Sequence, residues 1–277
     1  MTLRDIRGKK ASQARSCRTV TSSVRRLPFE VLSKIFREAC LTYPTFNTVK
    51  LSLDDYGSLD RTQLPWTLTE VSARWRQVAI SNPALWCSIQ IAFNWEKNLQ
   101  LLRLQIHRSN NFLLSVSIRF AQPRLELLMA ELLPSTSRWE TLCLQDVTMK
   151  CFGPIKGNLP ALHTLLYASD RLIDAGSTTA FAVTPKLQTL YITLHGLPIS
   201  RQIMNLFTID FDTQNPVECL TRFSALEQCS LRLSIATRVE PIDIILPNLR
   251  MLELDVDGGD LAEVLDQLTL PALQSNY

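Results

Sequence analysis

Seven cysteines, three histidines and two tight groups of aspartates are the residues of this chain whose types could carry chemistry. The cysteines (17, 40, 87, 143, 151, 219 and 229) form no Cys-x-x-Cys pair, so neither a redox dithiol nor a zinc site of paired thiolates is spelled out. Four of them sit inside apolar stretches and their number is odd, which is the pattern of buried, reduced thiols. His107, His163 and His195 stand far apart, with no acidic or cysteine partner at ligand spacing, and read as surface or loop histidines. Asp54-Asp55 and Asp255-Val-Asp257-Gly-Gly-Asp260 are the nearest approach to a carboxylate site. The second has part of the spacing of a calcium loop but lacks its closing glutamate, and reads as a solvated turn. No Gly-rich phosphate loop, Gly-x-Ser-x-Gly elbow or His-Glu-x-x-His helix occurs. The chain is therefore expected to be no enzyme and to use neither a metal nor a cofactor.

Composition points the same way. With 277 residues, 46% apolar and 20% charged, the chain has the mix of a folded protein and room for a small module plus an elongated domain. No apolar run approaches the ~18 residues of a membrane span, and no apolar stretch follows Arg7, Lys9 and Lys10 as a signal peptide would require. Cytosol or nucleus is the expected compartment, with no membrane partner. Residues 1–26 hold eight Arg or Lys against Asp5, a charge of +7 in a chain of +3 overall. Such a tail cannot bury enough apolar surface to fold alone. It could serve nuclear import or loose contact with nucleic acid or anionic lipid; a solvated leader, disordered over 1–25, is the reading favoured here.

From Leu27 the pattern becomes helical. Apolar residues fall at 27, 28, 31, 32, 35, 36 and 39 as one stripe, with Glu30, Lys34 and Glu38 spaced for ion pairs on the opposite face. Pro28 suits a first helical turn. Residues 42–66 read as a loop. Thr67-Leu68-Thr69-Glu70 has the spacing of a capping box, opening a helix with Leu68, Val71, Trp75, Val78 and Ala79 on one face. Asn82-Pro83 stops it. The order Leu-Pro-x-Glu-x-Leu-x-x-Ile-Phe, then Val-x-x-x-Trp-Arg, then Pro-x-Leu-Trp resembles an F-box, especially the F-box-like proteins expanded in fungi. Two features depart from that pattern: Ser72 stands where a cysteine is common, and the inter-helix loop is long. The resemblance implies docking on a Skp-type adaptor of a cullin–RING ligase through Leu27, Pro28, Val31, Ile35 and Phe36. Leu32, Val71, Trp75 and Trp86 would form the module's core, over residues 26–92.

Beyond Trp86 short strands and helices alternate. Strands are expected at 86–93 and 113–120, and helices at 96–107 and 125–133. A motif then recurs: Trp139-Glu-Thr-Leu142-Cys-Leu144, Leu162-His-Thr-Leu165-Leu-Tyr167, Leu187-Gln-Thr-Leu190-Tyr-Ile192, Leu226-Glu-Gln-Cys229-Ser-Leu231 and Leu249-Arg-Met-Leu252-Glu-Leu254. Its first positions, continued to Leu273, are separated by 23, 25, 39, 23 and 24 residues. Pro160, Pro185, Pro247 and Pro271 each stand two residues ahead of their leucine. This resembles an irregular leucine-rich-repeat array over residues 93–277, each repeat giving one strand of a parallel sheet. The 39-residue step is expected to hold an insertion with an extra helix around 202–212. The last repeat opens at Leu273 without completing its strand, which would leave apolar surface around Leu252, Leu254, Leu265 and Leu268 and favour self-association.

The expected fold is thus α/β, a small helical F-box-like module followed by a leucine-rich-repeat solenoid. The expected function is substrate recognition for an SCF-type ubiquitin ligase. Outward strand positions would meet a protein substrate: Thr141, Cys143, Thr164, Leu166, Thr189, Tyr191, Gln228, Ser230, Met251 and Glu253. So few charges there disfavour nucleic acid. The alternative is a repeat scaffold that engages no ligase.

Overall fold

The computed structural model describes residues 26–41, 57–91, 98–119, 125–147, 149–155, 157–168, 181, 183–192, 205–208, 220, 223–234, 243–257, 262 and 265–274. The fold is α/β, and the chain divides into two compact units, residues 1–52 with 64–85 and residues 53–63 with 86–277.

The first unit is helical. Helix α1 spans Phe29–Leu41, with Glu30 in its first turn and Leu32 N–H donating to the Pro28 carbonyl at 3.1 Å. Its apolar stripe is divided. Leu32 and Phe36 are buried, whereas Phe29, Val31 and Ile35 are 42%, 39% and 47% exposed. Residues i and i+4 lie along one line of a helix, so the 32/36 line faces inward and the 31/35 line beside it faces out. On the far side Glu30, Lys34 and Glu38 are exposed, and no ion pair joins them among the described residues.

The single helix expected from Thr67 is two helices. Helix α2 is Leu68–Val71 and α3 is Ala73–Ile80, separated by Ser72 in extended conformation (φ −162°, ψ 164°). Thr67 is itself helical and makes no side-chain cap. Ser72 does the capping, its Oγ accepting the Trp75 N–H at 3.2 Å. A serine offers its hydroxyl to a first-turn amide only from extended backbone, so the better cap breaks the helix. The break has a consequence for Val71. Expected in the core on a continuous helical face, it is 59% exposed, while Leu68, Val78 and Ala79 are buried.

The second unit is a parallel sheet. Its strands are β1 (Ser88–Ile91), β2 (Leu114–Arg119), β3 (Trp139–Gln145), β4 (Thr164–Ala168), β5 (Thr189–Ile192), β6 (Asn205–Thr208), β7 (Gln228–Ser234), β8 (Ile244–Ile245), β9 (Met251–Asp257) and β10 (Leu268–Thr269). Eight of them, β1 to β7 and then β9, lie side by side in sequence order; β8 and β10 form a separate parallel pair. Helix α4 (Leu99–Arg108) joins β1 to β2, and α5 (Leu125–Leu132) with a 3-10 turn (Leu133–Arg138) joins β2 to β3. Arg103 Nε donates to Glu131 Oε2 at 2.8 Å between these two helices.

Register explains the repeating motif. Its middle apolar position forms one row across the sheet: Ile89, Val116, Leu142, Leu165, Leu190, Leu206, Cys229 and Leu252. All but the last, which is half-buried, are at most 1% exposed. Fully burying one such side chain contributes ~1.5–3 kcal/mol, so the row is a continuous spine of the unit's core. The motif's first leucine is delivered by a tight turn. Leu162, Leu187, Leu249 and Leu273 each donate their N–H to the carbonyl three residues back, and proline follows that carbonyl residue in each case. Proline presets φ for the second position of such a turn, which is why it recurs there.

Two expectations are corrected. The 39-residue step holds no helix at 205–208 but the strand β6, paired with β5 and β7 on its two sides. Leu206 occupies the core row, and Phe207 and Thr208 are residue types that favour strands. Asp255 and Asp257, read as part of a turn, belong to β9. Asp54, Asp55, His195, Cys17, Cys219, residues 258–260 and the basic tail lie outside the described residues.

Candidate docking surfaces

In the helical unit the residues singled out for docking do two different things. Val31 and Ile35 leave their apolar side chains open, and Phe29, off the apolar stripe, is exposed as well. Pro28 is exposed and Leu27 half-buried. The Leu27 carbonyl accepts from Arg74 Nη2, which ties the Leu-Pro edge to α3. Phe36 is 1% exposed and stacks on Trp75 with ring centroids 4.8 Å apart, so it holds the helices together and is not on the open face. A further tie is Asn82 Nδ2, which donates to Ser33 Oγ at 2.7 Å. Neither Arg74 nor Asn82 follows an apolar period, and only their polar type next to a helix end hinted at such bonds. Val31 and Ile35 thus form one exposed line of the helix beside Leu27-Pro28, while Phe29 is exposed on another side of the first turn.

Trp86, expected in the same core, falls in the sheet unit. It is fully buried, with the Arg108 guanidinium 4.4 Å from its ring centre. It closes a 3-10 turn, Pro83–Trp86, and only Cys87 separates it from β1.

On the sheet, side chains alternate between faces, so the row next to the core row points the other way. One such row runs Ser88, Ser115, Thr141, Thr164, Thr189, Asn205, Gln228 and Met251. Thr141, Thr164 and Thr189 are half-buried, whereas Gln228 and Met251 are exposed. The next row runs Gln90, Ser117, Cys143, Leu166, Tyr191, Phe207, Ser230 and Glu253. Tyr191 is half-buried, and Glu253 is exposed and accepts the Ser230 hydroxyl at 3.0 Å. Cys143 and Leu166, expected to be open to a partner, are 4% and 7% exposed and are corrected to buried positions. Apolar side chains side by side on adjacent strands bury one another. Ser117, also buried and bonded to the Cys143 thiol, belongs to this row and was overlooked because β2 lacks the Leu-x-x-Leu motif.

Electrostatically the face is quiet. Burial pushes the Cys143 thiol and the Tyr191 hydroxyl upward, so both are neutral near pH 7. His107 is exposed, and the His163 ring nitrogen Nδ1 lies 2.7 Å from the Ala161 carbonyl. Among the described residues no group of three His, Cys, Asp or Glu gathers where a metal could bind, and no helix is long and apolar enough to cross a membrane. Cys40, Cys87, Cys143, Cys151 and Cys229 are free thiols. What these surfaces can do chemically is bind, by apolar contact on α1 and by hydroxyl and amide groups on the sheet. Comparison with known proteins adds no relative: no family model, no curated protein and no solved structure matches this chain.

Proposed function

We propose that this protein is a substrate-recognition subunit of a cullin–RING ubiquitin ligase, a non-catalytic bridge between a Skp-type adaptor and a protein substrate. The observation that carries the reading is the divided stripe of α1. Leu32 and Phe36 already satisfy the helical unit's own core, yet Phe29, Val31 and Ile35 remain exposed beside the Leu27-Pro28 edge. A short helix that keeps three large apolar side chains in water fits a second protein surface better than solvent. The motif order of an F-box, carried by Leu27 to Phe36 and Val71 to Trp86, supports the identity of that partner. The cytosol and nucleus are where such ligases work, and cysteines held as thiols suit those compartments.

The substrate half of the proposal rests on the sheet. Its in-register leucine row, proline-marked turns and near-constant step are features that support reading it as degenerate leucine-rich repeats. The polar row from Thr141 to Gln228, with Met251 and Glu253 at its end, then offers hydrogen bonds to a protein segment. Its hydroxyls and amides carry no positive charge, which suits a peptide better than a nucleic-acid backbone.

A scaffold that binds proteins without a ligase is the second reading, favoured by the same sheet. Purification of the intact chain from eukaryotic cells, with mass spectrometry of what accompanies it, separates the two. Recovery of a Skp-type adaptor together with a cullin supports the ligase reading. Recovery of other partners without the adaptor leaves the scaffold.

A further inference from the structure

Residues 57–63, between α1 and α2 in sequence, belong to the sheet unit and not to the helical one. What they meet is β1, the first strand and therefore an open edge of the eight-stranded array. In a parallel strand the N–H and C=O of successive residues point to opposite sides. Ser115 N–H donates to the Cys87 carbonyl at 3.0 Å, so Cys87, Ile89 and Ile91 turn toward β2 while Ser88 and Gln90 turn outward.

Those outward groups have partners. Ser58 N–H donates to the Gln90 carbonyl at 2.8 Å, and Gln90 N–H donates to Ser58 Oγ at 2.9 Å. Gln105 of α4, fully buried, donates from Nε2 to the Ser88 carbonyl at 2.6 Å and accepts the Ser58 hydroxyl on Oε1 at 3.0 Å. Leu59, next along, is 4% exposed. The segment then turns on itself, with Gln63 N–H on the Asp60 carbonyl at 3.1 Å and Thr62 N–H on Asp60 Oδ1 at 2.8 Å.

We propose that residues 57–63 are a strap that closes the N-terminal edge of the sheet against strand addition by a second copy of this chain. Ser58 is its clasp, and Gln105 positions the clasp. An uncovered edge strand presents a row of free amides and carbonyls and invites edge-to-edge pairing. The strap occupies the outward amide and carbonyl of Gln90, and Gln105 the carbonyl of Ser88, without adding a strand. The inference does not depend on the ligase reading.

Residue-resolved amide exchange on the full chain tests it. Ser58→Ala keeps the Ser58 N–H bond but removes the acceptor for Gln90 N–H, so the Gln90 amide should exchange about tenfold faster, as loss of one ordinary hydrogen bond implies. The Ile89 amide, which faces β2, should keep its wild-type rate. Gln105→Leu, which also frees the clasp, should accelerate Gln90 in the same direction. Replacing 57–63 by a Gly-Ser chain of equal length should produce concentration-dependent association in sedimentation velocity. Unchanged Gln90 exchange in Ser58→Ala, a rise shared equally by Ile89, or a monomeric Gly-Ser variant would each overturn the strap.

Discussion

The rings of Phe36 on α1 and Trp75 on α3 meet with centroids 4.8 Å apart and planes inclined at 55°. That contact turns one half of the α1 stripe into core and leaves the other half in water. Residues one position apart on the same helix therefore differ in kind, Phe36 buried in the core and Ile35 open to solvent.

Phe36→Ala should cost about 3–5 kcal/mol, the loss expected for removing a buried aromatic and leaving a cavity. Ile35→Ala, at an exposed position, should change stability by less than about 0.5 kcal/mol. Urea unfolding of the two variants checks this. A larger loss at Ile35 than at Phe36 would mean that the helix is turned the other way.

The sheet register makes a similar contrast. Leu165→Ala and Leu190→Ala should each cost ~2–5 kcal/mol, because both side chains lie in the buried row. Thr164→Ala and Thr189→Ala, on the opposite face, should cost little. Reversal of that pattern in denaturant titrations would place the strands out of register by one residue.

Ser72 rather than Thr67 starts the helix that carries Trp75. Ser72→Ala should lower stability by about 1 kcal/mol, and Thr67→Ala by much less, because only the Ser72 hydroxyl receives a first-turn amide. Equal effects in thermal unfolding would restore the unbroken helix.

Alkaline pH should unfold the protein partly through its thiols. Burial pushes Cys40 and Cys87 up to about 11 and Cys229 up to about 12. A raised folded-state value means that the folded chain holds its proton more tightly than the unfolded one. The thiols' contribution is complete below about pH 8.5, the unfolded value, and is lost progressively as pH climbs toward the folded values. Stability should therefore fall from about pH 8.5 up to about pH 11, and fall less steeply in Cys229→Ala. Urea midpoints across that range, with parallel slopes for the two proteins, would exclude Cys229 as a cause.

The strands were legible wherever a central leucine stood between apolar residues three before and two after it, as at Leu142, Leu165 and Leu190, because that spacing marks alternate strand positions. β6 was hidden because Thr208 fills the motif's third position and no proline marks its entry. Break and cap at Ser72 were hidden for another reason: Thr67 and Glu70 supply a well-spaced capping box, and only three-dimensional packing chooses between competing caps. The exposed line of α1 was half legible. Periodicity gives a wide stripe from Leu27 to Phe36 but cannot divide it, since the division depends on where Trp75 arrives. Ser58 and Gln105 left no signal, as an isolated serine in a polar loop carries none.

A binding titration of purified Skp-type adaptor against the full chain tests the proposed function most directly. Wild type and Lys34→Glu, altered on the exposed flank of α1, should bind alike. Ile35→Asp would place an unpaired carboxylate in the interface and should abolish binding while circular dichroism stays native. Equal binding by Ile35→Asp and wild type, or no binding by wild type, would contradict the account.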